Sequence, residues 1–189
     1  MVKHPKHRKH KPRAQLVRCV HILDGRVVLD LSEKLPVPQS LWIGEHPDVW
    51  ERMHRHDAFS AWFGCAVDAS TLITQGEHAY REAAFRHISL AQKARDLVLG
   101  YEDVMRALTL KQLDCVIIAT DAGASDASKI RAHTAHASIA CHSFGTRATL
   151  GAAVGRHAQV FLGVRSGAFA EKIDYYIQRN TRFMLHLSL

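Results

Sequence analysis

Between Leu90 and Gly155 the spacing of apolar residues changes repeatedly, and each change marks an element. Leu97–Leu99 reads as a short strand broken by Gly100, and Tyr101–Leu110 as a helix with Val104, Ala107 and Leu108 facing inward. Cys115–Ala119 is an unbroken apolar run, which predicts a strand buried on both faces. The polar loop Thr120–Ser125 is expected to end in a cap for a helix over Asp126–Ala137. Ser138–Ser143 reads as a strand, Thr146 as the cap of a helix over Arg147–Val154, and Val160–Val164 as the last strand. A helix over Gly167–Arg179 closes the series. Upstream, Tyr80, Ala84, His87 and Ala91 form one stripe of a helical region over Glu77–Arg95, with Asp68 or Ser70 able to cap its approach. Strands alternating with helices of about ten residues predict a three-layer α/β/α sandwich.

Ahead of this region the period shortens. LVRCVHIL and RVVLDL flank Asp24-Gly25, a hairpin signal because a two-residue turn of this type needs positive φ. The prolines of KLPVPQSLWI forbid a helix, leaving Leu41–Ile43 as a third short strand. Pro47 opens a helix carrying Val49, Trp50 and Met53, and Gly64 ends a shorter one over AFSAWF. The expected organisation is a disordered basic tail over residues 1–12, an α+β module of small sheet plus helices over 13–67 and a linker over 68–76. An α/β domain over 77–180 and a C-terminal tail over 181–189 complete it.

Charge sharpens this division. The net charge of +7 is concentrated at the ends: Lys3, Lys6, Arg8, Lys9, Lys11 and Arg13 stand in an acid-free start, whereas residues 14–146 carry 13 bases against 16 acids. From Arg147 onward there are 6 bases and 2 acids. Such ends suit a polyanion met by a tail and by one face of the last domain. A membrane is not expected as partner, because the tail has no apolar face beside its charge and no window has the length of a span.

Candidate chemistry adds little. Cys19, Cys65, Cys115 and Cys141 show no CxxC and fit buried free thiols in a reducing compartment, so a cytoplasmic location is expected, with the mitochondrial matrix as the alternative. His4, His7 and His10 sit among repelling cations and suit phosphate contact rather than metal. His133, His136, Cys141 and His142 are divided between a helix and a strand whose neighbours face opposite ways, so neither metal nor cofactor is expected. Trp42, Trp50 and Trp62 fit packing better than base stacking, and Gly151 with Gly155 fits close helix packing. Walker A, GxSxG and HExxH patterns are absent, and an enzyme is not expected.

LAQKARDLVLGYEDVMRAL, CVIIATDAGASDASKI and TLGAAVG resemble the bacterial YlxQ-like branch of the kink-turn-binding ribosomal protein superfamily. LVRCV, DGRVVLDLSEKLP and the short strand at Trp42 resemble the YlxR-like domain, which occurs fused to a YlxQ-like one. The resemblance implies a structured RNA, ribosomal or RNase P related, as partner, alongside ribosome-associated proteins, and a monomer. It also implies that the Gly100 turn touches RNA, through Gly100, Tyr101, Glu102, Asp103 and Arg106, with Asp121 nearby and the loop at Arg156 and His157 making a second contact. Where the superfamily has Gly-x-Asn-Glu, this chain has Glu102 and Asp103 after Gly100, and a carboxylate repels phosphates. The family's Gly-Arg-Gly turn is replaced by Val37–Ser40. Two other readings stay open: a structural or protein-interaction component of a ribosome-like particle, and sequence-blind DNA coating by the tail.

Overall fold

The computed structural model describes residues 16–21, 26–31, 34–37, 39–44 and 46–187. The basic tail, from Lys3 and His4 to Lys11 and Arg13, and the Asp24-Gly25 turn lie outside the described residues. The chain divides into two compact units, one of residues Met1–Gly76 with Arg182–Leu189 and one of Glu77–Thr181.

The first unit holds a three-stranded antiparallel sheet in the order β2-β1-β3, made of β1 (Leu16–His21), β2 (Val27–Leu29) and β3 (Ser40–Gly44). Two short helices follow, α1 (Pro47–Arg55) and α2 (Ala58–Phe63), the latter ended by Gly64 in the left-handed conformation at φ 68. Trp50 is wholly buried, its ring 5.5 Å from that of Phe59 and 5.3 Å from that of Phe183. Under this core Arg18 Nη1 donates to Asp30 Oδ2 at 2.8 Å, and the same carboxylate oxygen accepts the Leu35 N–H at 3.0 Å. A buried carboxylate tolerates desolvation only with such partners.

Residues 68–76, expected as a linker, instead begin a long helix, α3 (Ala69–Lys93). Asp68 accepts from the Ser70 N–H, the Ser70 hydroxyl and the Thr71 hydroxyl, which hold its carboxyl down to about pKa 2. With the first turn capped in this way, the helix starts at Ala69 and does not break before Lys93. At Gly76 a side chain would collide with Phe183 and Leu29, so this helix position passes close to its unit's core only as glycine.

The second unit is built on a four-stranded sheet in the order β4-β7-β5-β6: β4 (Leu97–Leu99), β5 (Leu113–Ile118), β6 (Ala140–Ser143) and β7 (Phe161–Arg165). Only β5 and β6 run parallel, while β7 lies antiparallel to both β4 and β5. Cys115, Ile117, Leu162 and Val164 pack on one face against Ala84, Ile88 and Ala91 of α3. Leu150 of α6 (Arg147–Ala153) and Ile173 and Ile177 of α7 (Ala168–Leu187) join them. Val116, Ile118 and Phe161 pack on the other face against Val104, Ala107 and Leu108 of α4 (Tyr101–Thr109) and Ala127 and Ile130 of α5 (Ala124–Ala137). The apolar run in β5 therefore serves two helical layers at once. An α+β module followed by an α/β sandwich is the architecture.

Several boundaries differ from expectation, among them β6, which starts at Ala140 rather than Ser138, and two helix ends. Helix α5 starts at Ala124 behind Gly123 rather than behind a capping Ser125, because Gly123 takes extended backbone at ψ 133 and no side-chain cap forms. Helix α7 continues past Arg179 through Leu187 instead of giving way to a tail, held by Asn180, whose Nδ2 donates to Glu77 O at 2.8 Å and Glu77 Oε1 at 3.0 Å.

Burial pushes the Cys19 thiol up to about pKa 12 and raises that of Cys115 still further. At pH 8 Cys19 then stays in the thiol form, whereas the thiolate is the form that reacts. Alkylation of the native protein at pH 8, followed by mass spectrometry, should leave Cys19 and Cys115 unlabelled until urea unfolds the chain, while the part-exposed Cys65 and Cys141 take up reagent.

Candidate nucleic-acid interface

Gly100 joins β4 to α4 with φ 97 and ψ 162, a region open in practice only to glycine. Its N–H donates to Phe161 O at 3.0 Å, which ties the turn to the start of β7. No atom crowds the position where a Cβ would stand, so backbone conformation and not space requires glycine here. Tyr101 packs its ring edge-to-face on Phe161 at 5.8 Å, with Lys129 Nζ 5.9 Å above it. Glu102 and Asp103 stand exposed in the first turn of α4, where carboxylates offset the positive end of the helix dipole. Phosphate binding directly on this helix end is thereby disfavoured.

Arg106 lies one turn on, 3.2 Å from Asp103 and largely exposed. It lines a groove of about 470 Å³ that follows the edge strand β4, together with Arg95, Arg156 and Arg165. The floor and walls include Leu97, Leu99, Ala107 and Leu110, and Asp103 is the only acid. Two arginines singled out in the sequence, Arg106 and Arg156, thus meet in one concavity with two that were not.

Arg156 is placed by tight local packing. Helix α6 ends with Gly155 N–H donating to Ala152 O and Arg156 N–H to Gly151 O, the paired bonds of a Schellman motif with Gly155 at φ 71. A Cβ on Gly151 would come within 2.7 Å of Ala158 Cα and 2.8 Å of Arg156 O. The loop can close over the helix only because that side chain is missing. Arg156 Nη1 then donates to Gln159 Oε1 at 3.3 Å, and buried Gln159 donates to Phe161 O. His157 is exposed on the same loop but does not line the groove.

Asp121 is engaged elsewhere. Arg147 clamps it with its backbone N–H at 2.8 Å and its Nε at 3.0 Å, while Arg147 Nη2 bonds Asp121 O at 2.7 Å. The backbone bond from Arg147, aided by its guanidinium, holds the Asp121 carboxyl below the usual carboxylate range. The role of Asp121 is to fasten the end of β5 to the start of α6, whose own cap is the reciprocal Thr146–Thr149 box. Of the histidines weighed for metal, His142 Nε2 pairs with Asp174 at 2.6 Å, and the described residues contain no group of three ligating side chains.

Arg95 and Arg165 escaped sequence reading because only strand pairing unites them. Leu97 stands opposite Val164, and the Arg165 N–H donates to Asp96 O at 2.9 Å, so the two arginines meet at the start of β4. The one local signal lay in α3's ending: Arg95 adopts φ 63, in the C′ position of another Schellman motif formed by Arg95 N–H to Gln92 O and Asp96 N–H to Ala91 O. That position favours glycine.

These features define an α/β/α sandwich domain with a cationic groove along its edge strand. Residues 82–172, within this unit, match the model of the ribosomal protein L7Ae/L30e/S12e/Gadd45 family. None of the curated proteins matches the chain significantly. Among solved structures, a protein with unknown function from Bacillus halodurans C is 32% identical over 50% of this chain and 96% of its own, with a TM-score of 0.49. The Giardia lamblia 15.5kD RNA binding protein is 13% identical over 54% of this chain and 90% of its own, with a TM-score of 0.46.

Two outcomes follow from this geometry. Gly151→Ala should destabilise the chain by about 1–3 kcal/mol, since the added methyl meets backbone that cannot yield, and urea titration will show it. The carboxylate form of Asp121 contributes stability that is complete above the ordinary carboxylate pKa of about 4 and lost as pH falls through its lower folded value. Asp121→Asn should therefore flatten the acid limb of a pH–stability profile read by thermal melting below about pH 4, and an unaltered limb would deny the clamp that role.

Proposed function

We propose that this protein is a non-enzymatic RNA-binding protein whose second unit holds a structured RNA, ribosomal or RNase P related, against the arginine-lined groove and the adjoining Gly100 turn. The observation that carries this reading is the convergence of Arg95, Arg106, Arg156 and Arg165, from four separate elements, on one concave strip holding a single acid. Guanidinium groups pair with phosphate oxygens in a planar, two-pronged manner that lysine cannot match. The family match over residues 82–172 supports RNA as the polyanion, because L7Ae-type proteins bind RNA. Gly100, Tyr101 and Arg106 are the proposed turn contacts, with Arg156 and His157 contributing from the neighbouring loop. Asp121 supports the site by fixing α6 and does not touch RNA itself.

Glu102 and Asp103 shape the specificity of the turn. They accept hydrogen bonds from base amino groups and repel phosphates, so the backbone of the RNA passes over the arginines and a base faces the turn.

The test is an equilibrium titration of the full chain against ribosomal RNA fragments from its own cell lysate. Arg106→Ala and Arg156→Ala should each weaken binding by about 1–3 kcal/mol and make the dependence on salt shallower by about one phosphate contact. Unchanged affinity in both variants would move the site elsewhere. Recovery of protein partners without RNA would favour the reading of an interaction component of a ribosome-like particle, which the two acids at the turn also suit.

A further inference from the structure

Among the described residues β4 pairs with β7 alone and forms an edge of its sheet. In its antiparallel pairing with β7, the Arg165 N–H donates to Asp96 O and the Gly100 N–H to Phe161 O, and Val98 stands opposite Gly163. Alternation along an antiparallel pair then turns the N–H and C=O groups of Leu97 and Leu99 away from β7, toward the groove that both residues line. Three strand residues extend about 10 Å, a length along which a stretched nucleotide chain places two or three phosphates. Arg95 and Arg165 stand at one end of this strip, beside Gln112, and Arg156 reaches the other end from the loop before β7. Arg106 stands along the α4 wall, and Leu110, well exposed, forms its apolar rim.

We propose, building on the RNA reading above, that this edge is a separate subsite for an unpaired strand flanking the structured RNA. Arg95 and Arg165 hold its phosphates, and the outward peptide groups of Leu97 and Leu99 meet base edges or ribose hydroxyls. An unpaired strand fits better than a duplex, because only splayed nucleotides bring base edges and 2′-hydroxyls within reach of a strand edge at the bottom of a groove. Four guanidiniums against one carboxylate select a polyanion. The brevity of β4 argues against an added peptide strand, which needs a longer ladder. Arg95 stands at φ 63, in a site where glycine is cheaper. That makes Arg95→Gly an unusual probe, since it removes the guanidinium while relaxing the turn.

The experiment compares full-length wild type, Arg95→Gly/Arg165→Gln and Arg106→Ala/Arg156→Ala. The probes are a 4-thiouridine-substituted oligouridylate of about ten nucleotides and a blunt RNA hairpin, with the basic tail present throughout. Arg95→Gly/Arg165→Gln should bind oligouridylate about ten-fold more weakly, with a salt slope shallower by about 1.4, and should lose no more than about two-fold on the hairpin. Its melting temperature should not fall, and wild-type crosslinks should map between Leu97 and Gln112. Unchanged oligouridylate affinity, an equal loss on the hairpin, or crosslinks lying wholly elsewhere would overturn the subsite. So would an oligoglutamate peptide that binds with the same dependence on Arg95 and Arg165 and excludes oligouridylate. If Arg106→Ala/Arg156→Ala weakens hairpin binding while Arg95→Gly/Arg165→Gln leaves oligouridylate affinity unchanged, the subsite fails and the RNA reading stands; if neither double variant weakens either probe, both fall.

Discussion

The insertion of β7 between β4 and β5 is the constraint on which the second unit depends. Its ladders run antiparallel to both neighbours, so the last strand of the chain closes the sheet by separating two earlier ones. Gly163 at its centre lets Leu113 pack directly on the strand, since a Cβ there would lie 2.6 Å from Leu113 Cδ1 unless that side chain shifted. The price of this arrangement is that β4, which precedes the Gly100 turn, is left as a sheet edge. Along that edge the second unit gathers four arginines in one groove.

Electrostatics at the turn and at the groove are opposite in sign, which gives the surface a direction. Helix α4 begins with two exposed carboxylates that neutralise its own dipole, whereas the groove beside it is basic. Helix ends reinforce the pattern: α3 and α4 both close with a basic residue, Arg95 or Lys111, in the left-handed position after the last turn. Each cation complements the negative end of its helix, and Arg95 also projects into the groove.

The first unit rests on a different interaction. Trp50 is enclosed by Phe59 and Phe183, the latter contributed by the distant last turns of α7. The chain's end is therefore part of the core of its beginning, and a helix judged to stop at Arg179 had to continue to supply that ring. Helical periodicity in QRNTRFMLHL is weak because polar residues interrupt it. Burial of one aromatic decides the matter more than propensity does.

Local pattern was enough to place most elements of the second unit. Five apolar residues at Cys115–Ala119, the glycine break at Gly100 and the Thr146 cap each act over a few residues, so the strand, turn and helix they specify appear where they were read. Of the candidate site, Gly100, Arg106 and Arg156 were readable from turn chemistry and resemblance, and the fold brings Arg106 and Arg156 into one groove. The resemblance put Asp121 beside the site, and its tie to Arg147, 26 residues on, is a structural fastening that no short window contains. Arg95 and Arg165 belong to the groove only because β4 and β7 are neighbours. By itself the sequence determined which segments are helix or strand and where glycine must stand, since those choices are made by sterics within a turn. Tertiary structure alone decided strand order, and with it which arginines share a surface, because pairing partners far apart in the chain are chosen by burial of the whole sheet.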